Sequence, residues 1–170
     1  MRITFVCTGN TCRSPIAESI AKKMLVDDTI NSRGLFAIDG QSVSPESLEV
    51  IMEHNFPEPT VAKQFSEKDL NSDLILTMTD MHKQQLVSHY GDNGRIYQLS
   101  EYVGEIGDIV DPFGGSIHTY RQTFEQLLYL IKVHDHGYTF LGQRRQHIPS
   151  QGTAARLLLQ YLGLQQYLDD

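Results

Sequence analysis

Between residues 2 and 27 the hydrophobic period changes from two to 3.6 across a short polar loop, and this switch restricts the fold more than any other feature. Residues 2–8 (RITFVCT) alternate and are rich in β-formers, which predicts a strand. Residues 14–27 (SPIAESIAKKMLVD) place Ile16, Ala17, Ile20, Ala21, Met24 and Leu25 at helical spacing. Ser14 is a natural N-cap and Pro15 a natural first-turn residue. The run Cys7-Thr8-Gly9-Asn10-Thr11-Cys12-Arg13-Ser14 therefore joins the carboxyl end of a strand to the N-terminus of a helix.

The rest of the chain keeps alternating. A second strand is predicted over 30–38 and a helix over about 45–55, opened by Ser44-Pro45. A short helix at 66–71 carries Ser66 and Asp69 in Ser-x-x-Asp spacing. The apolar run 73–78 reads as a strand buried on both faces. A helix is predicted over 80–90, a short strand over 95–99, a loop from Glu101 to Gly115, and a helix over 116–133 with Ile117, Tyr120, Phe124, Leu127, Leu128 and Ile131 on one side. Such alternation predicts an α/β fold, a doubly wound parallel sheet with helices on both faces. Ligands of such sheets sit at the carboxyl ends of the strands. Cys7 stands at one such end, and the loop holding Asp111 can reach it.

A phosphoryl group bound in the first loop needs donors around its oxygens, a nucleophile beneath it and a cation beside it. Gly9 is read as the residue that lets the backbone turn and aim N–H groups inward, and the helix behind it adds the positive end of its dipole. Arg13 can hold two phosphate oxygens with a permanent charge. In that cradle the Cys7 thiol ionises readily and becomes a nucleophile. Thr8, Gly9, Asn10, Thr11, Cys12 and Ser14 complete the phosphate-binding loop, with the Ser14 hydroxyl expected to hydrogen-bond the sulfur. A leaving group needs a proton, and Asp111-Pro112-Phe113-Gly114-Gly115 supplies a carboxyl on a stiff-then-flexible loop. Asp108, nearby, lacks the proline.

Bulk properties exclude other classes. The 170 residues suit one domain with a full core. A net charge of −7 argues against nucleic acid as a partner, so an anionic ligand must be drawn by local fields. No apolar run of about 18 residues predicts a membrane span, and the first residues lack the pattern of a secretory signal. Two cysteines in one loop suit a reducing, cytoplasmic compartment. Without further ligands at proper spacing they predict no metal site, and no cofactor is expected.

The run VCTGNTCRSP at 6–15, with Asp-Pro-aromatic at 111–113 and the element order, resembles the low-molecular-weight protein-tyrosine phosphatase family over about residues 1–133. The resemblance implies a four-stranded doubly wound parallel sheet, no metal and a phosphocysteine intermediate. It makes Cys7 the nucleophile, Arg13 the phosphate clamp and Asp111 the general acid, with Asn10 and Ser14 shaping the loop. Within the family the chain is similar to the bacterial protein-arginine phosphatase branch. Thr11 stands where tyrosine-specific members usually have Ile, and DPFGGS at 111–116 replaces a double-tyrosine stretch. A Thr hydroxyl suits a planar, polar guanidinium better than an apolar wall does. The expected substrates are phosphorylated proteins, carrying phosphoarginine or alternatively phosphotyrosine, and inorganic phosphate is expected to bind the loop.

Tyrosine-type members often place a loop-supporting His near the segment that reads Thr60 to Gln64 here; none stands there, and His54 and His82 are read as surface residues. Cys12 is expected to resolve oxidised Cys7 as a disulfide, making the pair redox-sensitive. Arsenate reduction on a similar loop needs later cysteines, and none follows Cys12. A silent phosphoprotein-binding module would have no need of both Cys7 and Asp111. Residues 134–170 do not resemble the family; they are read as an extension of unknown role or atypical origin, whose Leu/Tyr stripe at 154–170 docks on the core, binds a partner or joins two copies, with core docking or a dimer contact favoured.

Overall fold

A computed structural model of the chain describes residues 1–135. Four parallel strands, β1 (Arg2–Cys7), β2 (Thr29–Gly34), β3 (Leu74–Thr77) and β4 (Ile96–Gln98), form one sheet in the order β2-β1-β3-β4. Helices α1 (Arg13–Met24), α2 (Pro45–Glu53), α3 (Asp80–Tyr90), α4 (Leu99–Tyr102) and α5 (Ile117–Asp135) connect or follow them, with a 3-10 helix at Glu67–Asn71. The doubly wound α/β reading is correct. The order reverses direction beside β1, so the end of β1 is the switch point at which such sheets bind ligands.

Period-two alternation assigns the two faces. Ile3 and Phe5 of β1, with Leu74 and Leu76 of β3, pack with Ile16, Ile20, Val50, Phe124 and Leu127 of α1, α2 and α5. Val6 and Ile75 point the other way, to Phe65, Leu86 and Ile96. All four residues of β3 are buried, as a central strand covered on both faces requires. Helix α1 lies so deep between sheet and α5 that every residue from Arg13 to Ala21 is buried.

Several boundaries differ from the sequence reading. β2 ends at Gly34 rather than 38, because the chain then leaves the ladder to support the first loop: Leu35 N donates to Cys7 O and Phe36 N to Thr8 O, both at 2.9 Å. Helix α1 starts at Arg13 and stops at Met24, short of 27. Its N-cap position is Cys12, with no side-chain cap. Ser14 is inside the helix, its hydroxyl turned to the sulfur instead. β4 runs straight into α4, so part of the expected loop after Glu101 is helical. Helix α5 continues to Asp135, and the rest of the extension expected from 134 lies outside the described residues. Ser66 and Asp69 form the reciprocal cap expected from their spacing.

Gly34 couples the sheet to the loop most tightly. A Cβ there would lie 2.7 Å from Thr8 O and 2.8 Å from Asn10 N. Both are backbone atoms already engaged, Thr8 O with Phe36 N and Asn10 N with the Cys7 sulfur, and cannot yield cheaply. Gly34→Ala is expected to cost about 1–3 kcal/mol of stability and to weaken oxyanion binding in parallel. Thermal melts with phosphate titrations check this; wild-type values for both would show that the loop tolerates the added carbon.

Candidate active site

The end of β1 delivers Cys7 to the floor of the loop, 3% exposed. Its Sγ lies 3.0 Å from Ser14 Oγ and accepts the Asn10 N–H at 3.3 Å. The expected Ser14–sulfur contact is present. The reading of Gly9 as the turning residue is not correct: the left-handed residue is Asn10, at φ 55°. Asn tolerates that region because its side chain can bond locally. Gly9 would accept a Cβ, whose nearest neighbour is Thr11 Oγ1 at 3.7 Å.

Asn10 is held by its side chain. Its Oδ1 accepts from Lys63 N at 2.8 Å, and its Nδ2 donates to Ser14 Oγ and Ser32 Oγ, each at 2.9 Å. Ser32 in turn donates to Glu18, which is fully buried on α1. Glu18 also accepts from Thr60 N at 3.0 Å, Thr60 Oγ1 at 3.1 Å and Lys22 Nζ at 2.5 Å. A buried carboxylate persists only with such partners. The segment lacking the family's His thus supplies Thr60 and the Lys63 backbone instead. Glu18, Ser32 and Thr60 escaped the sequence reading. The one signal was Glu18 four residues before Lys22, which usually marks a solvated pair.

Arg13 is buried yet reaches the same pocket. Its Nη1 donates to Ile109 O at 3.3 Å and its Nη2 to Asp111 Oδ2 at 3.0 Å. The Asp111 side chain remains half exposed, so the fold brings a partly open carboxyl to Arg13, at the far end of the loop that starts at Cys7. The stretch before Asp111 is pinned. Asp108 Oδ1 accepts from Asp80 N at 3.0 Å and Gln98 Nε2 at 2.7 Å, and Ile109 N donates to Met78 O at 2.9 Å. Asp108 therefore anchors the loop while Asp111 is presented by it. Phe113, just beyond, is widely exposed.

Thr11 is half-buried, with Oγ1 3.7 Å from Cys12 Sγ. Cys12 is buried and, like Cys7, a free thiol. Its Sγ lies 3.5 Å from Tyr120 Oη, tying the loop to α5. Burial pushes the Tyr120 phenol up to about 12, and the Cys12 contact adds to it.

The two histidines are not surface residues. His54 is half-buried, stacked on Phe124 with ring centroids 4.1 Å apart. His82, 5% exposed, places Nε2 2.9 Å from Thr8 Oγ1. Burial, then the charge of Arg13, lower the His82 pKa from 6.5 to about 4, against the opposing pull of Asp111 and Asp108. His82 is thus neutral near pH 7. Among the described residues no group of three or more His, Cys, Asp or Glu could hold a metal ion. No described helix is long and apolar enough to cross a membrane.

Residues 2–133 match the family model described as low molecular weight phosphotyrosine protein phosphatase. A protein named low molecular weight protein-tyrosine-phosphatase PtpB, of Staphylococcus haemolyticus strain JCSC1435, is 98% identical over 131 residues, spanning 77% of this chain and 95% of that protein. Among solved structures, the YwlE arginine phosphatase from Geobacillus stearothermophilus is 33% identical, with a TM-score of 0.78, covering 86% of this chain and 99% of that one. A YwlE arginine phosphatase mutant, cysteine replaced by serine and that active site serine phosphorylated, is 37% identical with a TM-score of 0.76, covering 79% and 93%.

The depressed His82 pKa has a measurable consequence. Between about 4 and 6.5 the unfolded chain binds a proton at this ring that the folded chain refuses, so folding stability is full above 6.5 and falls as pH drops toward 4. Thermal midpoints from pH 7 to 4.5 should therefore fall less steeply in His82→Gln than in wild type. Equal slopes would mean that His82 titrates alike in both states.

Proposed function

This chain belongs to the low molecular weight phosphotyrosine protein phosphatase family, and on that premise we propose that it hydrolyses phosphoarginine in proteins through a phosphocysteine intermediate. One observation carries the reading. The Cys7 sulfur sits between the Ser14 hydroxyl and the Asn10 N–H, with the Arg13–Asp111 pair at the same strand end.

In the first step the Cys7 thiolate attacks phosphorus. The P–S bond forms as the bond to the leaving nitrogen breaks, and Asp111 gives that nitrogen its proton. Arg13 leaves Asp111 for the phosphoryl oxygens and, with the loop N–H groups, holds the transition-state charge. In the second step Asp111 takes a proton from water, which attacks phosphorus. Inorganic phosphate leaves and the thiolate is restored, with the Ser14 hydroxyl stabilising it. Thr8, Gly9, Asn10, Thr11 and Cys12 form the rim and floor. Neither step calls on a metal or cofactor.

Arginine specificity is supported by Thr11, whose hydroxyl offers a polar surface to a guanidinium. It is also supported by the likeness to YwlE arginine phosphatases. A phosphotyrosine reading uses the same machinery, and the Staphylococcus haemolyticus relative, a protein named as a protein-tyrosine-phosphatase, favours it. Two free thiols fit a reducing cytoplasm.

Cys7→Ser should lower turnover of para-nitrophenyl phosphate at least about a thousandfold while leaving oxyanion binding; substantial residual turnover would defeat the mechanism. Phosphate release from matched phosphoarginine and phosphotyrosine peptides should favour the former in wild type, and Thr11→Ile should shift the ratio toward the latter. Preference of wild type for phosphotyrosine would establish the second reading.

The reading extends to redox control. Peroxide converts the Cys7 thiolate to a sulfenic acid with loss of hydroxide. The Cys12 thiol then attacks that sulfur, giving a disulfide and water. Peroxide inactivation should be reversed by dithiothreitol in wild type but not in Cys12→Ser. Equal recovery in both would remove Cys12 from this role.

A further inference from the structure

Thr8 and His82 stand 74 residues apart in sequence, yet Thr8 Oγ1 and His82 Nε2 are 2.9 Å apart. Thr8 is exposed at the mouth of the loop, immediately after Cys7, while His82 is 95% buried beneath it in the first turn of α3. The other ring nitrogen, Nδ1, is buried and has no hydrogen-bond partner among the described residues.

That asymmetry selects the tautomer. A proton on Nδ1 would leave a buried donor with nothing to bond, which is the rarer and costlier defect; a bare Nδ1 lone pair is the milder one. The proton therefore belongs on Nε2, which donates to Thr8 Oγ1. The ring is also neutral at working pH, its pKa lowered to about 4 by burial and by Arg13 on α1, against Asp108 and Asp111 from the loop before α5. An imidazolium would carry a proton on Nδ1 as well and create the defect just described.

Once its oxygen accepts from Nε2, the Thr8 hydroxyl has its own proton left to give, and the ring lies behind it. The backbone is fixed too, since Thr8 O accepts from Phe36 N at 2.9 Å. The hydroxyl proton is thereby turned to the open side of the loop, where an anion binds beside Cys7.

We propose that His82 is a positioning residue that orients the Thr8 hydroxyl as a hydrogen-bond donor to the oxyanion of the bound phosphorylated substrate. This rests on the phosphatase reading of the loop. His82 touches neither substrate nor sulfur; it acts through Thr8. A packing role alone would tie His82 to stability and leave its effect on anion binding independent of Thr8.

Kinetics on para-nitrophenyl phosphate, competitive inhibition by inorganic phosphate and thermal midpoints are measured for wild type, Thr8→Val, His82→Leu, the double variant and His82→Gln. Thr8→Val and His82→Leu should each raise the phosphate inhibition constant and lower kcat/KM about tenfold. The double variant should be no worse than Thr8→Val, and His82→Gln, which keeps a donor near the Nε2 position, should recover most of the loss. Losses that multiply in the double variant, or wild-type phosphate inhibition in either single variant, overturn the proposal. If His82→Leu does not fold, Thr8→Val and His82→Gln decide: a loss in the first that the second does not share supports it, and equal values for the two overturn it. A wild-type protein without Cys7-dependent turnover would defeat the phosphatase reading and this inference with it, whereas the other failures defeat the inference alone.

Discussion

The Asn10 side chain makes three hydrogen bonds from a left-handed backbone position, and the shape of the loop follows from them. Those bonds hold Asn10 at φ 55° and aim its N–H at the Cys7 sulfur. The bonds pass through Ser32 to the buried carboxylate of Glu18, which Lys22 and Thr60 satisfy in turn. Such a network is favourable only when complete, because each missing partner strands a polar group away from water. The loop's shape is therefore held by the protein's own hydrogen bonds, as electrostatic stabilisation of a transition state requires.

Preorganisation also explains how a chain of net charge −7 can hold an anion. The relevant field is local. Arg13 is buried at the foot of α1, the helix N-terminus faces the loop, and the nearest countercharge is Asp111. Asp111 is half exposed and follows a pinned stretch, which suits the proposed mechanism, in which it gives up Arg13 to a phosphoryl group while Asp108 keeps its bonds to Asp80 and Gln98. His82, neutral beneath the loop, adds a hydrogen bond without adding a second cation.

Much of this was legible in the sequence. The change of period around Cys7 marks strand, loop and helix. Arg13 and Ser14 close the loop at the start of the helix, and Asp111-Pro112 stands out once it is set beside that loop, although the turn was placed at Gly9 and not at Asn10. Less legible were the residues whose roles depend on burial. Glu18 and Lys22 look like a solvated helix pair, and only the depth of α1 turns the carboxylate inward. His82 looks like a surface residue on a polar helix until α3 packs behind the loop. Ser14 looks like a cap, but its hydroxyl had a better partner in the sulfur.

The sequence by itself determined the make-up of the local unit: eight residues from Cys7 to Ser14 placed between a strand and a helix, because neighbours in the chain must share one connection, while the left-handed turn at Asn10 rests on Ser32 and Lys63. The tertiary structure decided what comes from afar. Asp111 meets Arg13 across 98 residues, Glu18 receives Thr60 across 42, and His82 reaches Thr8 across 74. The physical reason is that a hydrogen bond acts over about 3 Å, so such partners are named only once the fold sets side by side the elements that carry them.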